Sequence, residues 1–307
     1  MMVKLPDTIR FIERDWLAAN HVMFRDTDAA TLVDTGYGKF NHVTLEKVGE
    51  VLSDWGDLPL ERIINTHIHS DHIGGNAALQ RAHPGCSITI PLDEQPALVN
   101  WDASDQMLSY ADQEAERFAW DAVIAAGETV SLGGEAWEAI ATPGHDMGSL
   151  VLYSPKLRVL ISADALWENG FGFVVPRAID PRPLAAQRAT FKRLAELDVA
   201  LVIPGHGPMF TDFSGALKHA SDKLEAFAAD DMRIVRNVVK GMFIYSLMWR
   251  EQMLLADLPN YVNRIGVHRD YNAQFFKMSD EAFADWLVAE ALRAGKARVD
   301  GGRLIAL

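Results

Sequence analysis

An α/β fold followed by a mostly helical C-terminal appendage is predicted by three observations in this 307-residue sequence. Short apolar runs of strand length alternate with helical runs over the first two thirds of the chain. Several of those strand-like runs end in a tight turn that presents a histidine or an aspartate. Beyond Phe213 the texture changes to long helix-compatible stretches rich in Met, Leu and Val. With 49% hydrophobic residues, the chain can bury one large core plus an appendage, which excludes a disordered tail or a collagen-like fibre.

Taken in order, residues 31–34 read as a strand, 43–52 as an amphipathic helix and 63–66 as a second strand. The Gly74-Gly75 break precedes a helix over 76–82, and 87–90 is the next strand. Residues 94–125 contain few turn signals and read as helix or as an insertion over a site. Strands return at 128–130, 137–141, 150–154 and 159–162, with turns at Gly133-Gly134 and Pro155-Lys156, the spacing of antiparallel hairpins. A helix over 184–197 and a buried strand over 200–203 complete a domain spanning 1–213. In the appendage, 214–307, residues 214–255 are almost continuously helix-compatible and 267–272 read as a loop carrying His268 and Tyr271. Ser279 opens a helix that runs through Arg293, and 297–299 and 303–306 flank a turn at Asp300-Gly301-Gly302. Helices followed by one hairpin fit a winged-helix-like unit or a helical cap.

The longest apolar runs fall far short of the roughly 20 residues that a bilayer-spanning helix needs. Charged residues between Asp7 and Asp15 interrupt any export-type apolar stretch, so a cytoplasmic location is expected. The single cysteine, Cys86, has no partner for an internal disulfide and reads as a buried filler. The net charge is −13, and the acidic excess lies in the first domain. A broad, sequence-independent grip on nucleic acid is therefore disfavoured, and a small-molecule substrate is expected. The apolar faces of the tail helices offer a surface for a homodimer.

The chemistry concentrates in Thr66-His67-Ile68-His69-Ser70-Asp71-His72-Ile73-Gly74-Gly75. Strand alternation points His67 and His69 the same way, so one metal ion could take both imidazoles, while Asp71 and His72, past the turn, could face a second. Without metal, such a cluster beside a buried strand would need a hydrogen-bond partner for every ring. Three further strand ends present one ligand-type side chain each: Thr142-Pro143-Gly144-His145, Ser162-Ala163-Asp164 and Pro204-Gly205-His206-Gly207. Each is weak alone; their succession is the signal.

On these residues the chain is identified as a member of the metallo-β-lactamase fold superfamily, whose His-x-His-x-Asp-His signature is matched by residues 67–72. The resemblance covers roughly residues 20–213 and implies a four-layer αββα sandwich with two metal ions at one edge between the sheets. It implies that His67, His69 and His145 bind one ion, that Asp71, His72 and His206 bind the other, and that Asp164 bridges them. Asp34, in Leu32-Val33-Asp34-Thr35-Gly36, matches an early acidic position that supports the ligands from behind. The residue at the second signature position is His69 rather than Glu, unlike the flavin-coupled di-iron branch, which favours zinc over iron or manganese.

Such a centre implies hydrolysis by a metal-bound hydroxide, with Asp71 placed to hold or relay its proton. Asp164 stands where β-lactamases of the main branch carry Cys, which argues against antibiotic cleavage. The pattern is similar to glyoxalase-II-like thioesterases and to a branch with a short winged-helix tail, so a small ester, thioester or lactone-like substrate is expected. An RNA-processing metallonuclease and an iron-dependent persulfide oxygenase are the alternatives. After Asp164, the Gly-punctuated apolar stretch 165–175 carries Trp167, Phe171 and Phe173, which form either a substrate wall or core.

Overall fold

The computed structural model describes residues 4–99, 101 and 108–307. Six strands lie side by side in chain order: β1 (Ile9–Ile12), β2 (His21–Arg25), β3 (Ala30–Val33), β4 (Leu60–Ile64), β5 (Ser87–Pro91) and β6 (Ala122–Ile124). The pairs β1·β2 and β2·β3 are antiparallel, whereas β3 through β6 pair in parallel. Helices α1 (Asn41–Asp54), α2 (Ser70–Ile73), α3 (Asn76–Ala82) and α4 (Gln95–Val99) fall between these parallel strands. A second sheet has the order β11-β10-β9-β8-β7, built from β7 (Thr129–Leu132), β8 (Glu135–Ala141), β9 (Leu150–Ser154), β10 (Val159–Ala163) and β11 (Leu201–Pro204). It is antiparallel except for the β10·β11 pair, which is joined through helix α5 (Arg182–Leu194).

Period-2 alternation sorts the side chains of the first sheet into two cores. Met23, Leu32, Ile63 and Ile88 face Val48 and Leu52 of α1 and Ala77 and Leu79 of α3. Their neighbours Val22, Phe24, Val33 and Ile64 turn the other way, onto Trp137, Leu152, Ile161 and Ile203 of the second sheet. Strands β9, β10 and β11 are buried along their whole length, so their second face is covered as well. Helix α5 buries Leu184, Phe191 and Leu194, and Thr190 Oγ1 donates to the Pro143 carbonyl just beyond β8. The order helix, sheet, sheet, helix is the four-layer sandwich that the resemblance implied.

Within residues 1–213 the expected elements recur within a few residues of their expected bounds, with three differences. Strands β1 and β2 had not been read from the sequence. The stretch 94–125 is no long helix: it holds α4, turns at 108–112 and strand β6, while residues 100 and 102–107 lie outside the described residues. His67 and His69 stand in the loop after β4, which ends at Ile64, so loop geometry and not strand alternation brings them together.

The chain separates into two compact units, 1–102 with 115–226, and 103–114 with 227–307. The change of texture after Phe213 marks the start of helix α6 (Phe213–Ala229), most of which stays with the first unit. The second unit runs α7 (Asp231–Arg250), β12 (Gln252–Leu254), α8 (Leu258–Arg264), α9 (Gly266–Tyr271), α10 (Asp280–Arg293), β13 (Ala297–Asp300) and β14 (Arg303–Ala306). Asp230 breaks the long helical run by capping α7, its Oδ1 accepting the Met232 N–H at 3.0 Å. Ser279 caps α10 in the same way. Strand β12 pairs with β14, so the expected hairpin is completed to a three-stranded sheet. Asp112 ties the early segment to this unit through an ion pair with Arg250 and a hydrogen bond from Tyr261 Oη at 2.9 Å. Among the described residues, no helix is long and apolar enough to cross a membrane.

His268 and Tyr271, expected on a loop, lie on α9, and His268 is fully buried with neither ring nitrogen hydrogen-bonded. Phe243 and Tyr261 pack around it, and burial pushes it down to about 4 against the pull of the Asp112 carboxylate. An unfolded histidine titrates near 6.5. Between that pH and about 4, the unfolded chain binds a proton that the native ring lacks, so native stability falls as pH falls through this window. The loss amounts to about 3 kcal/mol by linkage. Urea unfolding of His268→Leu at pH 7 and pH 4.5 should show the second unit losing most of the acid sensitivity that the wild-type unit has; parallel curves for the two proteins would contradict it.

Candidate metal centre

Five strand ends deliver the site. Beyond β4 come Thr66, His67 and His69, then Asp71 and His72 on the single turn α2; His145 follows β8, Asp164 follows β10 and His206 follows β11. Asp34 sits directly after β3 with φ 57°, and Ala163, before Asp164, has φ 44°. Positive φ at non-glycine residues is strained, and the two strained positions flank the same cluster.

The seven side chains form two groups whose ligand-type atoms lie within 4.8 Å of one another: His67, His69 and His145, and Asp71, His72, Asp164 and His206. In the first group, His69 Nδ1 is 3.1 Å from His67 Nε2 and 2.8 Å from His145 Nε2. In the second, His206 Nε2 is 3.0 Å from Asp71 Oδ2, and His72 Nε2 is 3.9 Å from the same oxygen. Asp164 stands between the groups. Its Oδ2 is 3.4 Å from His145 Nε2, while its Oδ1 is 3.4 Å from His72 Nε2 and 3.6 Å from His206 Nε2.

Three of the rings, His67, His72 and His145, are held from behind, which fixes which nitrogen faces inward. His72 Nδ1 donates to Asp34 Oδ2 at 2.8 Å, leaving Nε2 pointing into the cluster. Thr66 Oγ1 donates to the same Asp34 oxygen at 2.8 Å and lies 3.1 Å from His67 Nδ1. The Thr66 amide donates to Asp34 Oδ1, so one carboxylate organises the whole loop. His145 Nδ1 donates to the Phe173 carbonyl at 2.6 Å. The indole Nε1 of Trp167 donates to Asp164 Oδ1 at 3.2 Å.

The residues fit a pair of cations. His72 Nε2 is buried and has no hydrogen-bond partner although its other nitrogen is fixed. Burial pushes His67 well below its ordinary value, with the neighbouring His72 and His69 adding to the shift, and burial and His69 take His145 down to about 4. These rings present lone pairs. In the other group burial opposes charge, yet Asp34, Asp164 and Asp71 together hold His72 well above its usual range, and Asp164 and Asp71 raise His206. Burial is likewise outweighed at Asp164, which His206 and His72 hold well below the usual carboxylate range. The field that favours protons there favours a cation.

A sequence model of the metallo-beta-lactamase superfamily matches residues 14–206. The chain belongs to the metallo-beta-lactamase superfamily. A hydroxyacylglutathione hydrolase of Yersinia enterocolitica is 29% identical over 147 residues, covering 48% of this chain and 47% of that protein. The chain thus matches about half the length of that relative. A probable metallo-hydrolase of Bacillus subtilis, YqjP, is 24% identical over 238 residues, covering 68% of this chain and 73% of the relative. Among solved structures, a metallo-beta-lactamase family protein from Thermus thermophilus superposes with a TM-score of 0.56 at 16% identity, covering 97% of this chain and 98% of the other. The B3 metallo-beta-lactamase BLEG-1 gives 0.52 at 22% identity over 70% and 96% of the two chains. At these identities the structural likeness speaks for the superfamily fold.

The expected wall residues separate. Trp167 is half-buried at the cluster, its ring 5.3 Å from that of His206. Phe171 is 4% exposed and packs on Phe191 of α5, so it is core. Phe173 is half-buried and contributes its carbonyl to His145. Trp16, which the sequence reading missed, is 46% exposed and stacks edge-on against Trp167, with its ring 5.2 Å from that of His206. Also missed were Asn20, whose Nδ2 donates to the Pro204 and Gly207 carbonyls around His206, and Gln187, whose Oε1 accepts the His145 N–H. An isolated Trp, Asn or Gln carries no local spacing signal. Cys86 is buried, and burial pushes its thiol up to about 12, which suits a filler.

Glycines make the close approaches possible. A Cβ on Gly74 would lie 2.3 Å from the Gly38 amide nitrogen, and one on Gly205 would lie 2.3 Å from Asp164 Oδ1. Gly205→Ala should therefore displace the Asp164 carboxylate. The expected result is a zinc content well below that of the wild-type protein with an unchanged far-ultraviolet circular dichroism spectrum; full zinc content would show that the Asp164 position is not needed.

Proposed function

We propose that this chain is a dinuclear metal-dependent hydrolase that cleaves a small ester, thioester or lactone bond, with zinc as the metal. The observation that carries this reading is the placement of Asp164 between two ligand-type groups, one carboxylate oxygen toward each. His67, His69 and His145 would hold one ion, Asp71, His72 and His206 the other, and Asp164 both. Imidazole and carboxylate donors suit zinc. Two such ions supply Lewis acidity and lower the pKa of water toward neutrality.

The chain's own groups supply the rest. Asp71 is buried and its Oδ2 faces both His206 and His72, a position from which it can hold and return the proton of an attacking water. Thr66 and Asp34 occupy the outward nitrogens of His67 and His72, so that the inward ones are those that would face the ions. Trp16 and Trp167 place apolar surface beside His206, which suits an apolar acyl portion and shields that side from water. The names of the relatives support hydrolysis as the reaction class.

Three outcomes are expected. Dialysis against a chelator removes activity toward a panel of thioesters and lactones, and added Zn2+ restores it; retained activity without metal, or activity confined to phosphodiesters, would overturn the reading, and iron with its visible absorption would favour a redox reaction. Asp71→Asn lowers kcat by about 10²–10⁴-fold with metal content preserved. Trp167→Ala raises KM for long-chain acyl substrates more than for acetyl ones in steady-state assays.

A further inference from the structure

Beside the seven converging side chains lies a second pair of acids, Glu94 buried and Asp146 half-buried, that the proposed reaction does not use. Glu94, which ends the turn 92–94 after β5, is 7% exposed, and its carboxyl is hydrogen-bonded to that of Asp146. Asp146 Oδ1 accepts the Gly148 N–H at 2.7 Å, and its Oδ2 is 3.7 Å from His69 Nε2. His69 meets His67 and His145 through its other nitrogen, Nδ1. Room for the Glu94 carboxyl exists only because residue 148 is glycine: a Cβ there would lie 2.4 Å from Glu94 Oε1 and 2.6 Å from its Cδ.

That Glu94 Oε1 is buried without a hydrogen-bond partner. An ionised carboxylate so placed would be an uncompensated charge beside a second one, whereas a neutral acid can donate its proton to Asp146 and leave the charge there. Burial, with the Asp146 carboxylate beside it, pushes Glu94 up to about 10. The Gly148 amide fixes Asp146 Oδ1, and its Oδ2 faces the outer nitrogen of His69.

We propose that Glu94 and Asp146 are positioning residues for the metal centre, a carboxyl pair that sets the orientation of His69 from its outer nitrogen. A carboxylate facing that nitrogen at 3.7 Å favours the tautomer that carries its proton there and leaves Nδ1 free, and loss of such an outer partner lowers metal affinity by about 10–100-fold. Glu94 acts one step further out, by keeping Asp146 in place. The inference rests on the proposed ligand role of His69.

The test is zinc titration of metal-stripped protein in competition with a chromophoric chelator, for wild type, Glu94→Gln, Glu94→Leu and Gly148→Ala. Wild type is expected to bind two zinc ions per chain. Glu94→Leu and Gly148→Ala should weaken one of the two by about 10–100-fold and leave the other unchanged. Glu94→Gln, which keeps an N–H donor toward Asp146, should stay within about threefold of wild type, a rescue that a purely space-filling role would not distinguish from Leu. If Glu94→Leu does not fold, Gly148→Ala carries the test. Wild-type affinity in both Glu94→Leu and Gly148→Ala, or equal losses in Gln and Leu, would overturn the positioning role. Wild type that binds no zinc would instead overturn the metal reading itself.

Discussion

Five imidazoles and two carboxylates converge in a space that they cannot satisfy among themselves, and the rest of the structure is arranged around that constraint. The inward nitrogens of His67, His69 and His145 stand 2.8–3.1 Å apart with no carboxylate between them, so a proton could lie in one gap or the other but lone pairs remain. His72 Nε2 is buried and unpaired, although Asp34 has already committed its other side. Leaving such groups dry costs roughly 1–3 kcal/mol each. A divalent cation in each group would satisfy them at once and would turn a destabilising cluster into a stabilising one.

The sandwich makes the convergence possible because strands of both sheets end at one edge. Parallel β3 and β4 deliver Asp34 and the His67–His72 loop, and the second sheet delivers His145, Asp164 and His206 from the ends of β8, β10 and β11. Rigid strands fix the origin of each loop, and the outward hydrogen bonds fix its end. Asn20 reaches from beyond β1 to clamp the carbonyls around His206, while Gln187 on α5 holds the backbone of His145. These two polar side chains bind the outermost elements to the site, so packing of the layers and geometry of the centre are set together.

What the sequence revealed follows from how local each signal is. The His67–His72 spacing, the Pro-Gly-His turns and the Ser279 cap are short-range patterns, and each element they mark is present. Asp34 was legible only through resemblance; its reach to Thr66 and His72 crosses more than thirty residues. Strand β1 hid because Arg10 interrupts a four-residue run, and β12 because three residues are too few for alternation to register. The stretch 94–125, read as helix or insertion because it has few turn signals, misled in its helical alternative: Trp101, Phe118 and Trp120 pack around the outer core from irregular backbone. Phe171 and Trp167 have similar surroundings in sequence and opposite fates in space: one meets Phe191, the other Asp164. The Glu94–Asp146 pair depends on a glycine fifty-four residues from Glu94, which no window of sequence joins.

Anomalous X-ray diffraction from crystals of zinc-supplemented protein, recorded on both sides of the zinc edge, asks directly whether the converging atoms enclose cations. The account predicts two zinc peaks, one among His67 Nε2, His69 Nδ1 and His145 Nε2 and one among Asp71, His72 and His206, with Asp164 touching both. Crystals grown with excess zinc that show no peak there, with the histidines hydrogen-bonded to one another or to water, would contradict it.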